Sequence, residues 1–307
     1  MSDAPFTTRE LYCVGLATLD LISLLPDFPD PNSRVEAEEM VFAGGGPAAT
    51  AAVALARLGH RVEVVSAVGD DELGRLVLAG LKNEGVGIQF VSVVEGGRTC
   101  VSQVIVDTKT SERLIVTKPG EGIVDAVASF NFEIEPTWIH LDQSGYEALT
   151  KSGKRSSVFA RHQISIDGGN PIEQLLLRDV DLYAPTIAEL KNIFGADLDV
   201  TQLLQSALDA GAKEVVATDG ANGSYSIKQG NLIHAKGFLE DTRSTLGAGD
   251  VFHGALLSGL VAGGELYEAM LSANMAALIS CGGIDGRSSI PTLEELQNAI
   301  NERLRSE

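Results

Sequence analysis

The chain has 307 residues, 44% of them hydrophobic, which is enough to bury a sizeable core and excludes disorder for most of its length. Lys and Arg number 23 against 42 Asp and Glu, and the net charge of −19 repels phosphate backbones and anionic lipid heads, so nucleic acid and membrane surfaces are poor partners. Cys13, Cys100 and Cys281 lie far apart without metal-ligand spacing, which fits a reduced cytoplasm, and the polar start has no apolar signal core.

In chain order, short β-branched runs alternate with segments of helical period. Residues 11–14 and 61–67 read as strands, and 47–58 and 73–84 as helices; this alternation predicts an α/β fold of βαβ units on a parallel sheet. Strands follow at 138–141, 164–167, 182–184 and 214–218, with helices predicted at 172–177, 188–194 and 200–210. The last third turns helical, at 249–261, 265–281 and 293–305, where Thr292 and Glu295 stand in capping-box spacing. Two stretches, 21–42 and 99–117, break the rhythm and read as strands without an intervening helix. Residues 99–117 have the pattern of a hairpin closed near 109–112, and the two stretches are expected to form a small β-structure apart from the main sheet. No linker divides the chain.

The strongest chemical signal is Thr245-Leu246-Gly247-Ala248-Gly249-Asp250 at the start of a helix. Gly247 and Gly249 permit a tight turn, so the amides of Gly247, Ala248 and Gly249 can converge on an anion. Asp250 is then either an ordinary first-turn helix acid or a base beside a phosphoryl group in transfer. Another loop, Gly44-Gly45-Gly46-Pro47, opens an alanine-rich helix; the alanines suit close packing on a sheet, and the glycines suggest a ligand near the backbone. Gly44, Gly46 and Ala49 also match a dinucleotide fingerprint, the pattern of a dehydrogenase, although the loop follows a β-insert rather than the first strand. A Walker A loop is absent from the sequence, which excludes a P-loop kinase.

The turn at 245–250 resembles the signature of the ribokinase-type PfkB carbohydrate kinases, and the resemblance extends over the whole chain. It takes in the stretch from Gly44 to Gly59 and the run Val68-Gly69-Asp70-Asp71-Glu72-Leu73-Gly74. It implies a single ribokinase-like domain over residues 1–307: three layers, a central mostly parallel sheet flanked by helices, and a small β-sheet lid built from about 21–42 and 99–117. It also implies that Asp250 is the catalytic base, with Gly247, Ala248 and Gly249 as the anion hole. Asp20, Gly45 and Gly46 would hold sugar hydroxyls, with Thr50 standing where many relatives have asparagine. Thr218, Gly220 and Gly223 would lie along the phosphates and ribose of ATP, and Asn274 near the adenine. Glu189 would help to hold hydrated Mg²⁺, although Thr186 replaces the asparagine of that motif. Ser244 replaces the first aspartate of the signature, so activation by K⁺ is expected to be weak or absent.

The implied reaction is transfer of a phosphoryl group from ATP to a primary hydroxyl of a ketose or furanose. An acidic derivative such as sulfofructose or 2-keto-3-deoxygluconate is included, because Lys118 and Arg98 flank the insert and can meet an acidic substituent. Leu246 is reminiscent of ketohexokinases, and the glycine loop resembles sulfofructose kinases, without the asparagine and arginine expected at Thr117 and Gln143. A nucleoside kinase is the alternative within the family. A silent sugar-binding regulator and an NAD-dependent dehydrogenase are the alternatives outside it. His253, one turn beyond Asp250, reads as a packing or solvated histidine rather than a base. An exposed lid edge invites pairing with another copy, so the resemblance also implies a homodimer.

Overall fold

The structure is a computed structural model, and it describes residues 10–110, 112–238 and 242–306. The chain opens with β1 (Leu11–Val14), β2 (Thr18–Leu25) and β3 (Glu39–Gly45), and winds on through α1 (Pro47–Arg57), β4 (Val62–Gly69), α2 (Glu72–Asn83) and β5 (Gly87–Val94). A hairpin of β6 (Val101–Asp107) and β7 (Arg113–Lys118) leads to α3 (Ile123–Ser129), β8 (Trp138–Leu141), α4 (Gln143–Lys151) and α5 (Arg155–Arg161). Next come β9 (Gln163–Gly168), β10 (Leu182–Pro185), α6 (Ile187–Phe194), α7 (Val200–Asp209), β11 (Ala217–Thr218), β12 (Gly223–Lys228) and β13 (Asn231–Lys236). Three helices close the chain, α8 (Ala248–Val261), α9 (Leu266–Ser280) and α10 (Leu293–Ser306).

Six strands pair in parallel in the order β10, β9, β8, β1, β4, β5. Side chains alternate across a strand, so neighbours in β1 and β4 enter different cores. Cys13 and Val64 pack with Leu55 of α1, Leu256 of α8 and Ala273 of α9, whereas Val14 and Val65 pack with Leu149 of α4, Phe159 of α5 and Leu204 of α7. A sheet covered on both faces reads as continuous apolar runs, which is why β1 and β8 were legible to the residue. The antiparallel strands β11, β12 and β13 extend this layer through isolated parallel bridges from Tyr183 to Val215 and from Thr186 to Thr218.

The rhythm-breaking stretches do meet, as a separate sheet in the order β3, β2, β6, β7. The pairing of β2 with β6 is parallel and the other two are antiparallel. Strand β2 begins at Thr18, earlier than expected, which places Asp20 inside the strand, and residues 26–38 between β2 and β3 form no strand.

Two expectations fail. No helix forms at 172–177, because tertiary partners take up the backbone there: Tyr146 Oη accepts from Leu176 N at 2.9 Å, Arg155 Nη2 donates to Leu176 O at 2.9 Å, and Gln174 sits at φ 54°. The strand expected at 214–218 shortens to β11 and the bridge at Val215. The sequence pattern also passed over β5, α3, α4 and α5. Strand β5 is only partly buried, and α3 and α5 are seven residues each, too short to show a periodic stripe.

Candidate active site

In an open α/β sheet, ligands gather beyond the carboxyl ends of the strands. Here β8 ends next to Asp142, which caps α4 by accepting from Gly145 N at 2.8 Å. Its other carboxylate oxygen accepts from Leu16 N, in the turn after β1, at 2.8 Å and from Ala48 N, in the first turn of α1, at 3.2 Å. One buried carboxylate thus fixes the glycine loop against the sheet. Burial pushes its pKa up to about 6, against the three amide donors.

The three glycines of that loop make room for the protein's own groups. A Cβ at Gly44 would strike the Arg287 guanidinium, one at Gly45 would strike the Asp20 carboxyl, and one at Gly46, where φ is 92°, would strike the Leu16 carbonyl. Beyond the ligand approach they suggest in sequence, close packing against two charged side chains also requires two of them. Asp20 is buried and accepts from Thr18 Oγ1 at 2.9 Å. Burial raises its pKa, against the Thr18 hydroxyl and the Arg287 charge. Arg287, 6% exposed, donates to Gly45 O at 2.5 Å and to Thr50 Oγ1 at 3.1 Å. Burial lowers its pKa to about 10, with Asp20 and then Asp250 resisting. Thr50 therefore serves Arg287. Strand register places Asp20 in one row with Ala43, Ser102 and Thr117, and the two hydroxyls lie 3.2 Å apart.

Gly247 caps α8 at φ 73°, where a Cβ would press on Gly286, and Gly249 faces open space. Among the described residues, Ala248 N makes a long contact of 3.4 Å to Thr245 O, while the amides of Gly247, Gly249 and Asp250 find no acceptor. These unpaired donors at a positive helix end are a cradle for an anion. Ser244 is buried: its amide donates to Cys281 O at 3.2 Å, and its hydroxyl accepts from Leu246 N at 3.2 Å, so it serves the turn itself. Arg113 of β7 reaches across to Thr245 Oγ1 at 2.8 Å, tying the small sheet to the same turn.

Asp250 occupies the first turn of α8 and is partly buried. Burial pushes its pKa up to about 7 and the charge of Asp167 pushes the same way; His253 and Arg287 oppose them. Behind it, His253 Nδ1 lies 3.0 Å from Asp167 Oδ2, both side chains 4% exposed. Burial is the largest influence on each and would discharge the pair, but the partner's charge and the neighbouring hydrogen-bonding groups together outweigh it, so the Asp167 pKa is lowered and the His253 pKa raised. His140, whose ring centroid lies 6.0 Å from that of His253, is driven down to about 4 by burial and is neutral.

The predicted nucleotide and metal residues lie around Thr218, which bridges to Thr186 at the end of β10. Gly220 opens a single 3₁₀ turn at φ 53° with nothing near its Cα. Gly223 is required by the β12–β13 hairpin, since a Cβ there would strike Ala235 O. Asn274 donates to Ala235 O at 2.9 Å and Lys236 O at 3.3 Å, so its amide hydrogens tie α9 to β13. Glu189 is buried in the first turn of α6 beneath the Thr186 cap, one carboxylate oxygen held by Asn192 Nδ2 at 3.1 Å. Lys118 is exposed at the end of β7. Among the described residues no cluster of three or more His, Cys, Asp or Glu could hold a metal alone, and no helix is long and apolar enough to cross a membrane.

The Asp250 carboxyl in the first helical turn, the amides before it that find no acceptor among the described residues, and buried Asp20, linked to Asp250 through the charge of Arg287, are suited to transfer of an anionic group. The family model described as pfkB family carbohydrate kinase matches residues 8–293. The chain belongs to this family. As a pfkB carbohydrate kinase it is 26% identical over 299 residues to the ribokinase of Haemophilus influenzae, covering 94% of this chain and 97% of that one. Its fold matches the ribokinase of Thermotoga maritima with a TM-score of 0.78 at 24% identity, over 95% of this chain and 99% of that one. It also matches the Arabidopsis thaliana ribokinase complexed with ribose and ATP, with a TM-score of 0.74 at 21% identity, over 94% and 98% of the two chains.

Sequence reasoning missed Asp142, Asp167 and Arg287. Asp142 had one usable signal, an aspartate three residues before Gly145 at the end of an apolar run. Arg287 directly follows the glycine-rich stretch Gly282–Gly286 and has no pattern of its own.

Proposed function

We propose that this pfkB kinase transfers the γ-phosphoryl group of Mg-ATP to a primary hydroxyl of a neutral ketose or furanose. The observation that carries the reading is the conjunction of Asp250 with the free amides of Gly247 and Gly249 on one helix end, opposite buried Asp20. Asp20 and the Ser102–Thr117 hydroxyl pair give a polyol ionised and neutral acceptors, and Arg287 fixes the loop beneath it. Asp250 takes the proton from the attacking hydroxyl, and the amides at the start of α8 hold the charge of the group in flight.

Thr218 and Gly220 line the nucleotide side, and Gly223 shapes the hairpin behind them. Glu189 suits hydrated Mg²⁺, since one buried carboxylate with an oxygen free of hydrogen bonds among the described residues matches the sparse protein ligation this ion prefers, the phosphates supplying the rest. When bound, Mg²⁺ neutralises charge on the phosphates. A neutral acceptor is favoured over a sulfonated or carboxylated one, because Asp20 and Asp250 flank Arg287 and their charges oppose a further anion.

The four-stranded sheet acts as a lid over the acceptor, and Arg113–Thr245 is its latch. The outer face of that lid carries Phe42 and Val116 in one cross-strand row and Met40 and Leu114 in the next, each at least half exposed. Another copy covering this face would form a homodimer. A coupled ADP-release assay with Mg-ATP and fructose, ribose, sulfofructose, 2-keto-3-deoxygluconate or adenosine tests the reading. Turnover of fructose or ribose supports it; turnover of adenosine alone, or of none, overturns it.

A further inference from the structure

We propose that His253 is a positioning residue whose ring, held beside the Asp167 carboxylate, maintains the charge balance in which Asp250 serves as base. The proposal rests on the assignment of Asp250 as base and goes beyond it by giving a task to a buried pair outside the residues assigned to acceptor and nucleotide.

The geometry begins with helical spacing. Asp250 and His253 stand three residues apart on α8, so their side chains leave the same face of the helix. That face packs against the carboxyl end of β9, which supplies Asp167. The contact between His253 Nδ1 and Asp167 Oδ2 is 3.0 Å, but it lies off the N–H direction, leaving Nδ1 without a proper hydrogen bond; the pair is held by charge. The Ala184 backbone is a further group that favours the protonated ring. These neighbours favour the protonated ring.

Of the other described groups around Asp250, Arg287 is a cation, but its charge acts on Asp20 and Asp250 rather than on Asp167. From β8 come Asp142, engaged with three amides, and His140, neutral and bonded to Ser165 Oγ at 3.0 Å. From the end of β10 and the start of α6 come Tyr183, whose hydroxyl has no partner among the described residues, and Glu189. From the loop before α10 comes Arg287, whose Nε and Nη2 are spent on Thr50 and Gly45. On the other faces of α8, Ala51 and Ala54 of α1 meet Gly254, and Ala269 of α9 meets Gly259. His253 is therefore the group that offsets Asp167 next to the base. Removing the imidazolium alone uncovers a buried negative charge beside Asp250, whereas removing both members leaves a neutral neighbourhood.

This asymmetry gives a test that needs no acceptor. In the full-length protein labelled with ¹³C and ¹⁵N, the Asp250 carboxyl is titrated by NMR in wild type, His253→Asn and the double variant Asp167→Asn with His253→Asn; Asp250→Asn assigns the signal. The midpoint is expected to rise by about one unit in His253→Asn, the size of a lost nearby charge, and to return toward wild type in the double variant. A midpoint unmoved in His253→Asn, or displaced equally in both variants, overturns the proposal. Should His253→Asn fail to fold, the wild-type imidazole decides: both ring nitrogens protonated at pH 7 support the proposal, and a neutral ring overturns it. Because the readout is a titration, it stands apart from the ADP-release assay, whose failure would instead overturn the kinase reading.

Discussion

The Arg287 guanidinium donates to Thr50 Oγ1 at 3.1 Å across 237 positions of sequence, and in the same reach it donates to Gly45 O. A side chain from the last loop thus holds the first turn of α1 and the glycine beneath Asp20. Buried charge is costly to strand, so the contact acts on both stability and acceptor binding.

Arg287→Met should leave two buried acceptors unpaired and lower stability by about 2–4 kcal/mol, read by urea unfolding. The KM for the sugar should rise by about tenfold, the size of a 1.4 kcal/mol loss, while ADP affinity stays within about twofold. An unchanged sugar KM would place Arg287 outside the acceptor site.

Gly45→Ala puts a methyl against the Asp20 carboxyl. The carboxyl has to move, so sugar KM should increase well before kcat falls, and Asp20→Asn should give the same pattern. Steady-state kinetics of both variants check this; a fall in kcat at constant KM would contradict it.

Asp250→Asn should keep the fold and sugar binding while turnover drops by about 10²–10⁴, the usual size of a general-base contribution. The pH dependence has a definite sign. The base works ionised and its folded pKa lies at about 7, so wild-type kcat should fall as pH drops through about 7 and level off above it. For stability the same raised pKa runs the other way. The protonated carboxyl is the form the fold favours, so wild type should lose stability as pH rises from about 4 to about 7 relative to Asp250→Asn. Thermal melts of the two proteins from pH 4 to 8 measure that divergence.

Replacing Na⁺ with K⁺ should leave the rate within about twofold, because the hydroxyl of Ser244 is already spent on Leu246 N and carries no charge to attract the ion. A several-fold rise would show that carbonyls alone build the cation site.

The sequence by itself determined the α/β layering, since strands buried on both faces must be apolar throughout, and it located Asp250 and its glycines, because a helix opening on Gly-Ala-Gly-Asp is a local device. Asp20, inside a strand, was legible only through the resemblance to the family. Only the tertiary structure decided why Gly44 and Gly45 are glycines, that Thr50 answers to Arg287, and that Asp142, Asp167, His253 and Arg287 surround Asp250. Those four come from the ends of two strands, a helix and a C-terminal loop. They act through long-range hydrogen bonds and through charge across low-dielectric surroundings, and such coupling leaves no periodicity or spacing in the chain. The absent helix at 172–177 carries the same lesson in reverse: its local pattern was sound, but Tyr146 and Arg155, distant in sequence, took the backbone groups that a helix would have used.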